Sequence, residues 1–207
     1  MDLKTISDHS HRDHAFLSPS KYHWIRYDKE KLVKAFYNYM AVEKGTKLHE
    51  IAESLISEKI TLPKKQITFN MFVNDAIKLH MQPEKLLKYS DNLFGTADAL
   101  SFSHGLLRIH DLKTGTTPAH MDQLMIYAGL YCLINYIDPH NIRCELRIYQ
   151  NDEILIKEPE PDELQEYIDK MVEADRIITE IREEQEEYYA YWWTLSCWYS
   201  SGVWRRS

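Results

Sequence analysis

Residues 92–115 read NLFGTADALSFSHGLLRIHDLKTG, two runs of alternating apolar and polar side chains on either side of an SHG turn. A period of two sends successive side chains to opposite faces of a strand, so the pattern predicts a β-hairpin. Counting along it, Asp111 and Lys113 share a face with Leu107 and Ile109, while Arg108 and His110 face the other way. Asp98 shares its face with Phe94, Thr96 and Leu100. Three charged side chains therefore fall on the apolar side of a sheet, where an isolated charge is costly unless it is paired or holds an ion.

The segments around the hairpin read mainly as helices. Ser18 and Pro19 in FLSPSKYHWIRY are a helix-entry signal. EKGTKLHEIAESLISEK carries an apolar stripe of Leu48, Ile51, Ala52, Leu55 and Ile56. Helical pieces are expected over residues 68–88. After the hairpin, TTPAHMDQLMIYAGLYCLINYI predicts a long helix capped by Thr117 with Pro118 at its first position. RCELRIYQNDEILIKEP reads as one or two further strands. The order helix, strand, strand, helix, strand predicts an α/β sandwich.

From Pro161 the pattern changes. Leu164, Ile168, Met171, Ile178 and Ile181 recur at helical spacing with acids on the opposite face. The net charge of −7 is concentrated here: residues 158–187 hold 13 acids and three bases, which leaves the remainder mildly basic and compatible with phosphate contacts. Four of the five tryptophans follow, within YYAYWWTLSCWYSSGVWRRS. Such aromatic density suits either a self-association surface or a tail packed on the core. The domain reading is thus 1–157 for the α/β domain and 158–207 for the acidic helix and aromatic tail.

Three cysteines without a CxxC pair argue against a disulfide framework or a zinc ribbon and suit a reducing cytoplasm. The N-terminus has no apolar signal region and no apolar run reaches 18 residues, so neither secretion nor a membrane span is expected.

If the two hairpin strands pair, Asp98 and Asp111 project toward the same end of the sheet. Neighbouring carboxylates repel unless a cation lies between them, and Mg²⁺, a hard ion, prefers such oxygens. The plainer alternative is an Asp111–Lys113 ion pair with Asp98 turning the hairpin. On the 44–58 helix, His49 lies on the edge of the apolar stripe, while Glu50, about 100° further round, points away. His49 is either a fourth ligand or a packed residue. Gln123 and Tyr127, four apart on the long helix, form either a polar ridge facing the site or a local hydrogen-bonding pair.

GTKLHE, GTAD, DLKTG and QLMIY occur in the order and approximate spacing seen in RecB-like nucleases of the PD-(D/E)XK superfamily, and LSPSKYHWI resembles the first helix of that group. Over residues 16–150 the chain resembles the compact phage-type exonucleases. The resemblance implies a restriction-endonuclease-like αβββαβ core, a central mixed sheet flanked by helices, with one more strand near KLLKYS. It implies that His49, Asp98, Asp111 and the Leu112 carbonyl bind Mg²⁺, with Mn²⁺ as a substitute. Lys113 would position the attacking water, and Gln123 and Tyr127 would support the site or the DNA backbone. The cysteines of the iron–sulfur branch are missing from their places, so no cluster is expected.

The function this implies is a Mg²⁺-dependent deoxyribonuclease, an exonuclease in recombination, repair or phage DNA processing. Its expected partners are DNA, a second copy through the C-terminal helix and aromatic tail, and a recombination protein. The competing readings are a catalytically silent nucleic-acid-binding or assembly module, and a metal-binding protein using His9, His11 and His14.

Overall fold

A computed structural model describes residues 15–115 and 117–200, with side chains described to residue 189. The N-terminal histidines and most of the aromatic tail lie outside these bounds. Among the described residues, four α-helices and five strands follow the order α1 (Lys29–Ser57), α2 (Thr68–Lys78), β1 (Gln82–Lys88), β2 (Phe94–Ser103), β3 (Leu106–Leu112), α3 (Asp122–Asn135), β4 (Arg143–Gln150), β5 (Glu153–Lys157) and α4 (Pro161–Ser200). The chain divides after Glu50 into two compact units, 1–50 and 51–207. The expected boundary near residue 158 falls between β5 and α4.

The first unit holds a 3₁₀ segment, Pro19–Arg26, and the N-terminal part of α1. Ser18 precedes the segment but does not cap it: its hydroxyl pairs with Ser20 and its carbonyl accepts from Trp24 Nε1 at 3.1 Å. Phe16 packs edge-on against Phe36, their centroids 5.2 Å apart, and also meets Tyr39.

The second unit is an α/β structure with one mixed sheet flanked by helices, its strands in the order β1-β2-β3-β4-β5. All neighbours are antiparallel except β3 and β4, which run parallel. Two of the turns have a simple cause. His104 and Gly105 take positive φ between β2 and β3, and Asn151 and Asp152 do so between β4 and β5. A two-residue turn with both residues left-handed matches the twist of a hairpin.

Each face of the sheet has its own core. Leu107, Ile109, Leu146 and Ile148 pack with Leu124, Met125 and Ala128 of α3 and with Leu164, Ile168 and Met171 of α4. Gly129 lets α4 approach closely, since a Cβ there would stand 3.1 Å from Met171 Sδ and 3.2 Å from Ile168 Cγ1. The opposite core joins Ala52, Ile56, Phe72, Val73, Ala76, Ala99, Leu112 and Tyr149. A fully buried side chain of this kind contributes about 1.5–3 kcal/mol. α4 also clasps the β1–β2 loop, where Ser90 donates to Asp175 and Asn92 to Thr179.

Several boundaries differ from the sequence reading. α1 begins at Lys29, well before the expected stretch, and helix covers only 68–78 of the expected 68–88, because β1 takes the rest. Pro83 is tolerated in β1 because that strand is a sheet edge. α3 starts at Asp122, not after Thr117 and Pro118. Gln150 explains this: its Nε2 donates to the carbonyls of Gly115 and Thr117 and its Oε1 accepts from Ala119, so the segment is held open as a loop. Among the described residues no helix is long and apolar enough to cross a membrane.

Candidate active site

β2 and β3 bring Asp98 and Asp111 to one end of the sheet. The Leu112 N–H donates to Asp98 Oδ2 at 2.7 Å, which ties the two strands at the point where their ladder ends. Leu112 thus enters the site through its N–H. Asp111 is 3 % exposed and faces the α3 side, as alternation requires with Leu107 and Ile109 in that core. Arg108 and His110 face α2.

Lys113 follows β3, its own N–H bonded to the Tyr149 carbonyl at 2.9 Å. Its Nζ lies 3.0 Å from Asp111 Oδ1 and 3.0 Å from Oδ2, and donates to Gln123 Oε1 at 2.7 Å. Gln123 Nε2 in turn donates to the Tyr127 hydroxyl at 3.3 Å. The Tyr127 ring rests on the backbone of Gly95, where a Cβ would come within 2.9 Å of Cε1. A connected path therefore runs from β3 through α3 back to β2, three residues short of Asp98. The ion pair considered from sequence is present, and Gln123 and Tyr127 belong to it. An ammonium has three donors. Both Asp111 oxygens and the Gln123 carbonyl are within their reach.

β1 adds a residue that sequence reasoning missed. Its register with β2 pairs Pro83 with Ala99 and Lys85 with Ala97, which sets Glu84 opposite Asp98. Directly opposed like charges are destabilising in a sheet. Glu84 is also left-handed, with φ 45°, a conformation that costs a residue with a Cβ about 1–2 kcal/mol. The alternation of β2 is interrupted here as well, since Ala97 and Leu100 both join the α3-side core while Ala99 joins the other. Counting back from Asp98 through the β1–β2 turn would have found Glu84, had QPEKLLK been read as a strand from its own pattern.

α1 presents His49 on the face of Ala52 and Ile56, three and seven residues further along the same helix, and both of those are buried. Glu50 is exposed, and so is Ile51, which lies outside the stripe it was expected to join. Within the second unit the ligand atoms of Glu84 and Asp98 lie within 4.8 Å of each other. Asp111, one strand further on, is paired with Lys113. Two facing carboxylates are oxygen donors for a divalent cation of the Mg²⁺ or Mn²⁺ kind.

Behind the site, on the α2 face, His110 is fully buried. The Tyr149 hydroxyl donates to Asp75 Oδ2 at 2.8 Å and lies 3.2 Å from His110 Nδ1. Arg147 meets the same Asp75 oxygen at 3.3 Å and Glu145 at 3.0 Å. Burial first, then the positive charges of Arg147 and Arg108, push the His110 pKa down to about 3, so the ring is neutral. Cys132 and Cys144 are buried free thiols, pushed up to about 12 and about 11, chiefly by burial.

No protein-family model, no curated protein and no solved structure matches this chain.

Proposed function

We propose that the chain is a metal-dependent nuclease of the RecB-like kind, an exonuclease that hydrolyses DNA phosphodiester bonds in recombination, repair or processing. The observation that carries the reading is the convergence, at one end of the sheet, of opposed carboxylates at Glu84 and Asp98 with the Asp111–Lys113–Gln123 chain. Supporting it, the elements from α2 to β4 run helix, three strands, helix, strand, the order expected of an αβββαβ core.

Glu84 and Asp98 would hold the ion, with Asp111 on the neighbouring strand, and His49 is the further ligand that the resemblance implies. A divalent cation there would lower the pKa of a bound water and neutralise charge on the phosphate. The Glu84 carboxylate, facing a second one on β2, is an arrangement whose repulsion such a cation relieves. The chain's own residues supply the rest. Gln123 and Asp111 fix the position of the Lys113 ammonium, and a preoriented charge costs no reorganisation when the reaction begins. Tyr127, wedged on Gly95, holds Gln123 in turn.

The test is digestion of linear duplex DNA with and without Mg²⁺ or Mn²⁺, run beside thermal unfolding in the same ions. At 100 times its dissociation constant a bound ion adds about 2.7 kcal/mol to stability. Wild type should both digest DNA and melt higher with the ion, and Glu84→Gln and Asp98→Asn should lose both effects. Ion-independent digestion, or the same ion-induced rise in both variants, would sink the reading.

A further inference from the structure

A second feature lies on the α2 face. Loop 61–66, α2 and β5 enclose a cavity of about 760 Å³ whose lining includes Lys64, Lys65 and Lys78 over a floor of Leu62, Met71 and Ile154. The loop is rigidly held. Asn74 closes both backbone groups of Leu62, accepting from its N–H at 2.8 Å and donating to its carbonyl at 3.0 Å. Asn70 donates to the Pro63 carbonyl, Gln66 to that of Asp152, and Thr68 binds the Asp152 carboxylate twice.

The lysines take no part in this scaffold. Among the described residues none of the three makes an ion pair, and Asp75, the acid lining the cavity, is occupied by Arg147 and Tyr149. A loop tied down by four side-chain hydrogen bonds, with α2 beside it, thus displays positive charge that no ion pair among the described residues uses. Its position is also informative. Ile154 pairs with Tyr149 and Tyr149 with Leu112, so the cavity is level with the last residue of β3, two strand spacings or about 10 Å across the sheet, on the face opposite the Asp111 side chain.

We infer that this cavity binds the backbone of a single DNA strand leading to or from the site at Lys113, its lysines on the phosphates and its apolar floor against a base. Sequence-tolerant single-strand sites are built around a positively charged groove that tracks the phosphates, and that is the part this cavity supplies. The inference rests on the nuclease reading above.

The experiment uses the full chain and a labelled oligothymidylate in EDTA, with binding followed by fluorescence anisotropy across a salt series. Each phosphate contact contributes about 0.7 to the slope of log affinity against log salt for single strands. The triple variant Lys64→Gln/Lys65→Gln/Lys78→Gln should bind more weakly, with the slope smaller by about 2. All three positions are exposed, so its melting temperature should match wild type. Hydrolysis of the small diester bis(p-nitrophenyl) phosphate with Mn²⁺ should be unchanged, because that substrate is too short to reach the cavity. An unchanged slope and affinity in the triple variant overturns the inference and leaves the nuclease reading standing. Loss of diester hydrolysis in the folded variant also overturns it, by showing that the lysines act on the metal site. Wild type that binds the oligonucleotide through these lysines but never hydrolyses either substrate overturns the nuclease reading alone.

Discussion

Replacing Lys113 with methionine separates what this lysine does for folding from what it does for chemistry. Its Nζ touches both oxygens of Asp111 at 3.0 Å; the Asp111 side chain is 4 % exposed and that of Lys113 31 %. Breaking a fully buried pair from one side costs about 3–5 kcal/mol and an exposed pair about 0–1, so a buried acid with a half-buried lysine should lose about 2 kcal/mol. Urea unfolding in EDTA reads this as a midpoint about 1 M lower at unchanged slope, for a slope near 2 kcal/mol per molar. Adding Asp111→Asn removes the charge that the lysine offsets, and the double variant should regain most of that loss. Cleavage of linear DNA should not recover. Removing an oriented charge of this type lowers the rate by about 10²–10⁴, in the single and the double variant alike. A Lys113→Met protein that digests DNA as fast as wild type refutes the catalytic role; a double variant no more stable than the single refutes the account of the pair.

On α1, His49→Ala should abolish Mn²⁺-dependent cleavage while Glu50→Ala changes it little, because His49 shares a face with buried Ala52 and Ile56 and Glu50 is exposed; equal losses in a gel assay would contradict the helix phase. His110, neutral in the fold with its pKa pushed from 6.5 to about 3, contributes stability that is complete above pH 6.5 and is lost as pH falls from there toward 3. The loss runs at about 1.4 kcal/mol per pH unit, so His110→Leu should flatten the acid limb of a urea-stability profile, and a limb as steep as that of wild type would count against it. Gly95→Ala places a methyl 2.9 Å from Tyr127 Cε1 and should cost about 1–3 kcal/mol in thermal unfolding. Tyr127→Leu in the same chain should restore most of it, and failure to do so would locate the strain elsewhere.

The hairpin was legible because its alternation is long and its turn short: β2, β3, the faces of Asp111 and His110, and the outward Glu50 all follow from counting. Where long-range bonds override local pattern, counting fails. Nothing near Thr117 announces that Gln150, 33 residues later, will hold that loop open and delay α3 to Asp122. QPEKLLK has a proline and no clean period, so β1 is expected only through the family resemblance, and with it Glu84 stayed hidden. The lysine cavity was equally unreadable, since Lys64 and Lys65 resemble any solvated loop until α2 and β5 are set beside them.

The single parallel seam in the sheet has a kinetic meaning. β1, β2 and β3 meet through short connections, and so do β4 and β5, but β3 joins β4 only across the whole length of α3. Local pairings close quickly and distant ones slowly, because the entropy of the intervening loop must be spent before any contact repays it. The two hairpin-built pieces should therefore form early and the β3–β4 seam late. Lys113 is anchored on that seam through Tyr149, so the chain can hold most of its secondary structure and still be inert: cleavage should return during refolding in the last resolvable phase, after far-ultraviolet ellipticity has largely recovered.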